Sequence, residues 1–321
     1  MKLIHALATA ASLSMLVLSA SAQEGYPTKP VRLVVGAPGG VQDILARVLA
    51  PEMQKSLGQP FIVEPRGGAA GAIAAETVAR AAADGYTLLV AVGAITILPA
   101  LNKKLSFDVV RDFTAISLVA SAPNMLVLRS DSPIRDLKGF LAEARAKPGE
   151  VTYATSGIGS TVHIGGELLS SLAGIKLNHI PYNGSGPSVE GLLGGQVMAS
   201  MSSVNATLPH IKSGRLRALA VASESRSMFL PDTPTFEELG IKGMRSDTWL
   251  GIMGPANLPR TIAVRLNNEL TQIIAKPESR ERFMTMGAEA VGLPLEKFAD
   301  LVRNEVELFE KIVRNAGIKP E

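Results

Sequence analysis

The stretch that decides the fold runs Val31-Arg32-Leu33-Val34-Val35-Gly36-Ala37-Pro38-Gly39-Gly40, followed by Val41-Gln42-Asp43-Ile44-Leu45. A short apolar β run meets a glycine-rich turn, and a new periodicity starts directly after it. Ile44, Leu45, Val48, Leu49, Met53 and Leu57 recur at helical spacing, with Pro51 as an expected interruption. Phe61-Ile62-Val63 then reads as a second strand, 70–83 as an alanine-rich helix stopped by Asp84-Gly85, and 86–92 as a third strand. The order β-α-β-α-β argues a parallel sheet covered by helices.

Working outward, 113–119 and 124–128 read as two strands joined by Ser121-Ala122-Pro123. A second βα series follows: helix 136–147, strand 151–154, helix 161–172, strand 178–181, helix 187–193, then strands 197–201 and 218–222. A loop with Pro231 and Pro234 leads to the sole tryptophan, Trp249, in an apolar run 248–253. The tail is helical over 260–274, 278–286 and 295–315. That helical tail needs a sheet to pack on, and the first series has room for it. The expected class is therefore α/β: two lobes, each a mainly parallel sheet flanked by helices, joined by two crossovers. Domain 1 is discontinuous, 23–123 and 246–321, and domain 2 is 124–245. Two such lobes imply a cleft closed by a hinge.

The first 22 residues read as an address. Lys2 supplies a positive start, residues 7–18 are apolar or small, and Ala20-Ser21-Ala22 is an A-x-A cleavage site. Cleavage after Ala22 makes Gln23 the mature N-terminus and the periplasm the expected compartment. The alternative is an N-terminal membrane anchor, although the apolar run is shorter than the ~20 residues a span requires. The apolar run 86–101 is also too short for a span, contains Gly93 and ends against Pro99, so it reads as a buried strand entering a short helix.

Composition narrows the function. Hydrophobic residues make up 46% and charged residues 19% of the 321-residue chain, which excludes an intrinsically disordered protein. The net charge of +3 is spread without a Lys/Arg run and aromatics are 4%, so a nucleic-acid partner is not expected. With no cysteine, disulfides, thiolate metal sites and cysteine nucleophiles are ruled out together. A G-x-S-x-G elbow and a P-loop are absent; Val162 stands where a third glycine would complete the motif begun by Gly157-Ile158-Gly159. His163, His179 and His210 show no metal-ligand spacing. Neither a catalytic set nor a cofactor is expected.

Three small-residue loops remain, each leading into a helix. They are Gly36 to Gly40 before Asp43; Thr155-Ser156-Gly157-Ile158-Gly159-Ser160-Thr161; and Tyr182-Asn183-Gly184-Ser185-Gly186 before Pro187. Helix N-termini carry unpaired N–H groups and partial positive charge. Glycines let that backbone approach a ligand, and hydroxyls add donors, so such loops bind anions without Arg or Lys. Each loop alone reads more readily as plain architecture, with Asp43 only capping or holding its turn and His163 only filling a gap. Together they favour a site in which two lobes grip a small carboxylate.

At this point the sequence resembles the Bug receptors, the extracytoplasmic binding components of tripartite tricarboxylate transporters. The resemblance covers residues 25–317. It is carried by Tyr26-Pro27-Thr28-Lys29-Pro30-Val31-Arg32, Ala37-Pro38-Gly39-Gly40 with Asp43, Leu57-Gly58-Gln59-Pro60 and Asp84-Gly85-Tyr86-Thr87-Leu88-Leu89. It continues in Tyr153-Ala154 with Gly157, Gly159 and His163, then Pro181-Tyr182, Leu192-Leu193-Gly194-Gly195-Gln196-Val197 and Gly214-Arg215-Leu216-Arg217-Ala218-Leu219-Ala220-Val221. Leu230-Pro231-Asp232-Thr233-Pro234-Thr235 completes it. The resemblance implies a periplasmic-binding-protein (Venus flytrap) receptor without catalytic role, whose strand-end loops hold a ligand carboxylate through backbone amides and ordered water. Ala37, Pro38, Gly39 and Gly40 match the first-lobe loop, and 155–161 match the second-lobe loop.

Three departures bear on the ligand. Gly36 stands alone where relatives carry one more residue before the turn. Gly93-Ala94-Ile95 replaces a polar Ser/Thr pair and a His. Ser202 occupies a position where relatives often have Asp. Each change removes polarity or charge, which disfavours an amino-acid ligand, because an ammonium needs a carboxylate partner. The expected function is capture of a small organic carboxylate for membrane transporter subunits, by a monomer. Alternatives are a receptor of the same fold that reports to a membrane sensor kinase, and a periplasmic hydrolase or lyase.

Overall fold

The computed structural model describes residues 25–36, 41–68, 71–315 and 317–318. The expected leader 1–22 and the turn residues Ala37, Pro38, Gly39 and Gly40 lie outside the described residues.

The first βα series folds as its sequence order demands. Strands β1 (Val31–Val35) and β2 (Phe61–Pro65) pair in parallel, and β3 (Thr87–Val92) pairs in parallel on the other side of β1. Helices α1 (Val41–Leu57) and α2 (Ala72–Ala79) make the crossovers. Helix α1 buries Leu45, Leu49, Met53 and Leu57, one stripe at four-residue spacing. It runs unbroken through Pro51, contrary to the expected interruption. Pro51 is exposed, so the carbonyl that loses its amide partner is reached by water. Helix α2 is shorter than the alanine run suggested, ending at Ala79. After β3 the chain turns through a 3-10 segment (Gly93–Thr96) into the short α3 (Leu98–Leu101), as expected of a strand entering a helix.

Strand β4 (Phe113–Arg129) corrects the reading of two strands: 113–119 and 124–128 are parts of one 17-residue strand. The second series then runs α4 (Leu137–Ala146), β5 (Thr152–Thr155), α5 (Thr161–Ala173), β6 (Asn178–Pro181), α6 (Ser185–Leu193), β7 (Ala199–Ser203), α7 (Val204–Lys212) and β8 (Leu216–Val221). The chain returns through β9 (Asp247–Pro255), α8 (Arg260–Ala275), α9 (Pro277–Thr285), β10 (Glu289–Ala290) and α10 (Leu295–Asn315). Among the described residues no helix is long and apolar enough to cross a membrane.

The strand order is β2-β1-β3-β9-β4-β7-β5-β6, with β8 and β10 also pairing β4. Up to Pro123, opposite Asp247, β4 pairs with β9 in the first lobe; from Asn124, opposite Ser203, it pairs with β7 in the second. Each sheet is parallel in its βα portion and antiparallel where β4 and β9 cross. The parallel part is thus smaller than expected, because the crossing strands are themselves sheet members. Helix α10 adds a further bridge. Phe298 and Val302 pack in the cluster of Trp249 and Leu118, whereas Phe309, Ile312 and Val313 pack in the cluster of Phe140, Tyr153 and Leu169.

Candidate functional site

Strands β5, β6 and β7 run parallel, so their C-terminal ends share one edge. Each is followed directly by a helix, which sets the N-termini of α5, α6 and α7 along that edge. Ser160 caps α5, accepting from the His163 N–H at 3.2 Å and donating to the Gly157 carbonyl at 2.7 Å. Gly184 precedes α6 at φ 114 and donates its N–H to the Ser156 carbonyl at 3.1 Å, locking the two loops together. Ser203 ends β7 and precedes α7; its hydroxyl bonds the Asn205 side chain. A cavity of about 360 Å³ opens at this edge. Its second-lobe wall is Ser156, Ser160, Thr161 and Val162 from the α5 terminus, Ser185 from α6, and Ser203 with Asn205 from α7. Among the described residues no side chain of that wall is charged.

The first lobe closes the cavity from the other side. Val41 opens α1, Val92 and Ala94 follow from β3, Ala122 and Leu250 come from the crossing strands, and Met286 and Ala288 follow α9. A Cβ on Gly287 would overlap Asn205, so the two walls touch at this point. The α5 terminus is also tied to the crossing strands. Thr161 Oγ1 bonds Thr248 Oγ1 at 2.7 Å, Ser246 Oγ donates to the Thr161 carbonyl at 3.1 Å, and Asn124 Nδ2 donates to Ser246 Oγ at 2.8 Å.

Of the expected residues, Ser156, Ser160 and Thr161 line the cavity. Gly157 and Gly159 shape the loop at φ 134 and φ 77. Thr155 is fully buried behind it, bonded to His179 Nε2 at 2.6 Å. His163 does not reach the cavity. Its Nδ1 accepts from the Gly159 N–H at 3.1 Å and its ring stacks on His179 at 4.0 Å, so it braces the loop. Burial, with the neighbouring His179, pushes the His163 imidazole down to about 3; burial pushes His179 to about 4. Ser202 sits off the cavity in a hydroxyl chain with Ser200, at 3.2 Å. Asn183 is exposed outside it. Asp43 lies buried in the first turn of α1, 3.0 Å from the Arg47 guanidinium. The sequence reading missed Ser203 and Asn205; a serine before Val204 was the available capping signal.

Because successive strand residues face opposite ways, the back of β4 and β9 shows different residues. Pro123 and Asp247 line a second cavity of about 730 Å³ with Glu289 and Glu305. Burial raises Asp247 to about 7, helped by the Glu289 charge. Burial also raises Glu305 to about 7, against the bonds it accepts from Trp249 Nε1 at 2.8 Å and Thr96 Oγ1 at 2.9 Å. Among the described residues no group of three or more His, Asp or Glu could hold a metal.

A model of the tripartite tricarboxylate transporter family receptor matches residues 45–318. The chain belongs to that receptor family. Among curated relatives of this receptor, Protein BugT of Bordetella pertussis is 36% identical over 297 residues, covering 92% of this chain and 91% of that one. Among solved structures, Rpa4515 of R. palustris with adipate superposes at TM-score 0.77 with 31% identity, covering 92% of this chain and 100% of that one. MatC of Rhodopseudomonas palustris with bound malate superposes at 0.71, also with 31% identity, covering 90% and 100%. The receptor fold is thus a mixed α/β periplasmic-binding-protein fold of the Bug type, as the sequence led us to expect.

Proposed function

We propose that this receptor is an exported, non-catalytic solute-binding protein that captures a small organic carboxylate in the cavity between its lobes and delivers it to membrane transporter subunits. The observation that carries this reading is the convergence of three helix N-termini, α5, α6 and α7, on one cavity without a charged side chain in its described lining. Aligned N–H groups and partial positive charge suit a carboxylate there. The adipate and malate found in two structural neighbours support the same ligand class. Residues 23–123 with 246–321 act as one lobe and 124–245 as the other, hinged where β4 exchanges β9 for β7. The leader 1–22 directs export to the periplasm.

The test is a thermal-shift screen of the chain from Gln23 onward against mono-, di- and tricarboxylates and aromatic acids. A ligand present at 100 times its dissociation constant adds about 2.7 kcal/mol of stability. A panel in which no carboxylate raises the transition overturns the reading.

A further inference from the structure

The cavity behind the crossing strands, about 730 Å³, has walls from both lobes. Ser223, Glu224 and Ser225 follow β8, whereas Glu289 and the α10 residues belong to the first lobe. Five carboxyl side chains line it against two cations, Arg245 and Lys297. Four of the five have partners. Glu224 pairs with Arg245, and Asp300 with Arg303 at 2.9 Å. Glu289 accepts from Ser227 Oγ at 3.2 Å and from the Met228 N–H at 3.3 Å. Glu305 accepts from Trp249 Nε1 and Thr96 Oγ1. The fifth, Asp247, is deeply enclosed, yet among the described residues its carboxyl accepts no hydrogen bond and makes no ion pair. Arg245 is the one cation whose charge favours its ionised form, against Glu289 and Glu224; Lys297 is exposed and contributes nothing there. Apolar surface lies open beside these carboxyls, with Val291 38% and Leu308 37% exposed and Leu301 between the lobes' polar walls.

We infer that this cavity is a second ligand site, for an organic cation whose primary ammonium head sits on Asp247 and whose apolar stem lies along Val291, Leu301 and Leu308. The site is separate from the front cavity and stands or falls independently of the carboxylate reading. An enclosed carboxyl with unfilled acceptor positions is costly until a donor meets it. A primary ammonium brings three N–H donors and a full charge, and Glu289 and Glu305 add a favourable field without giving up the bonds they hold. A metal ion does not fit, because among the described residues no three His, Asp or Glu are grouped to hold one. The apolar stem gains by covering Val291 and Leu308, which otherwise face water.

Isothermal titration of the chain from Gln23 onward at pH 7 uses n-pentylammonium as the probe, with pentan-1-ol as the uncharged control and pentyltrimethylammonium as a cation without N–H donors. The probe is expected to bind saturably and at least ~10-fold tighter than either control, since hydrogen bonds to a charged group are the stronger ones. Binding is also expected to release protons. Asp247 stands at about 7, so about half of these carboxyls carry a proton at pH 7, and the ammonium drives them to the carboxylate with release of ~0.5 proton per site. Titration in two buffers of different ionisation enthalpy reads that number, and ordinary surface carboxylates, already ionised, release none. Asp247→Asn is expected to weaken the probe at least ~10-fold, with a melting curve to verify that the variant folds. If it does not fold, the comparison of probe with controls and the proton count in the wild type decide the matter. A probe that fails to saturate, that binds no tighter than pentan-1-ol or that releases no proton overturns the inference. Equal binding of pentyltrimethylammonium, or unchanged affinity in folded Asp247→Asn, overturns the placing of the ammonium on Asp247.

Discussion

Two opposed sets of buried groups act on the stability of this receptor between pH 6.5 and 5, and removing one ring uncovers their opposition. His163 and His179 hold folded values near 3 and 4, below the ~6.5 of a free imidazole. As pH falls through 6.5 the unfolded chain takes up protons that the native rings refuse, so stability is lost on acidification until the native rings titrate. Each ring contributes ~1.4 kcal/mol per pH unit, hence ~2 kcal/mol from pH 6.5 to 5. Asp247 and Glu305 run the other way. Their folded values of about 7 stand above those of free carboxyls, so the stability they contribute is present at low pH and lost as pH rises toward 7. Two rings and two carboxyls therefore oppose one another across that window, and His210, held below a free imidazole by burial and the Arg215 charge, adds to the loss on acidification. His179→Phe keeps a ring to stack on His163 and deletes one titration, so the variant should gain ~2 kcal/mol relative to wild type on going from pH 6.5 to 5. Glu305→Gln should lose stability over the same interval, by less, because partial exposure of Glu305 to water screens its shift. Urea unfolding followed by Trp249 fluorescence at half-unit steps measures all three slopes. Parallel stability-against-pH curves for the three proteins would refute the argument.

Four further expectations concern packing, the loop and export. In Gly166→Ala the new Cβ lands in the Tyr153 ring, with Oη at 2.8 Å, so the variant should be destabilised by ~1–3 kcal/mol in chemical denaturation although alanine favours helix. Ser160→Ala removes the α5 cap and should cost ~1 kcal/mol of stability, with carboxylate binding weakened but retained, because the backbone donors remain. Gly157→Val should weaken binding more, since φ 134 and the Tyr182 carbonyl 3.3 Å from a new Cβ both resist a branched side chain; titration calorimetry beside a melting curve separates lost binding from lost folding. Protein recovered from the periplasm should begin at Gln23 by N-terminal sequencing, and an intact Met1 on membrane-bound material would remove the leader assignment.

Local sequence made most of the fold legible, because parallel βα units announce themselves by a change of period at each glycine turn. Helix α10 was read to its last residue, and the Ser156–Thr161 terminus was placed before α5. What escaped depended on tertiary context. Ser121-Ala122-Pro123 read as a connection between two strands, but Pro123 stands within one strand where β4 leaves β9 for β7, the point at which a missing N–H does least harm to either ladder. Helix α7 was overlooked because Asn205, Thr207, Pro209 and His210 are weak helix formers, and with it went Ser203 and Asn205 on the cavity wall. His163 and His179 carry no sequence spacing that foretells stacking. Their partnership exists only because β5 and β6 pair in register at Tyr153 and His179, beneath α5.

The shared ownership of β4 and α10 has a consequence for how the molecule comes apart. A strand whose halves belong to different sheets, and a helix whose ends sit in different cores, leave neither lobe with a complete interior of its own. Melting the second lobe exposes Phe309, Ile312 and Val313 and strips Asn124 to Leu128 of their ladder partners, and that loss propagates along one continuous backbone into the first lobe. Two lobes built in this way therefore unfold as one. A single calorimetric transition, with equal van't Hoff and calorimetric enthalpies, is the thermodynamic signature of that arrangement.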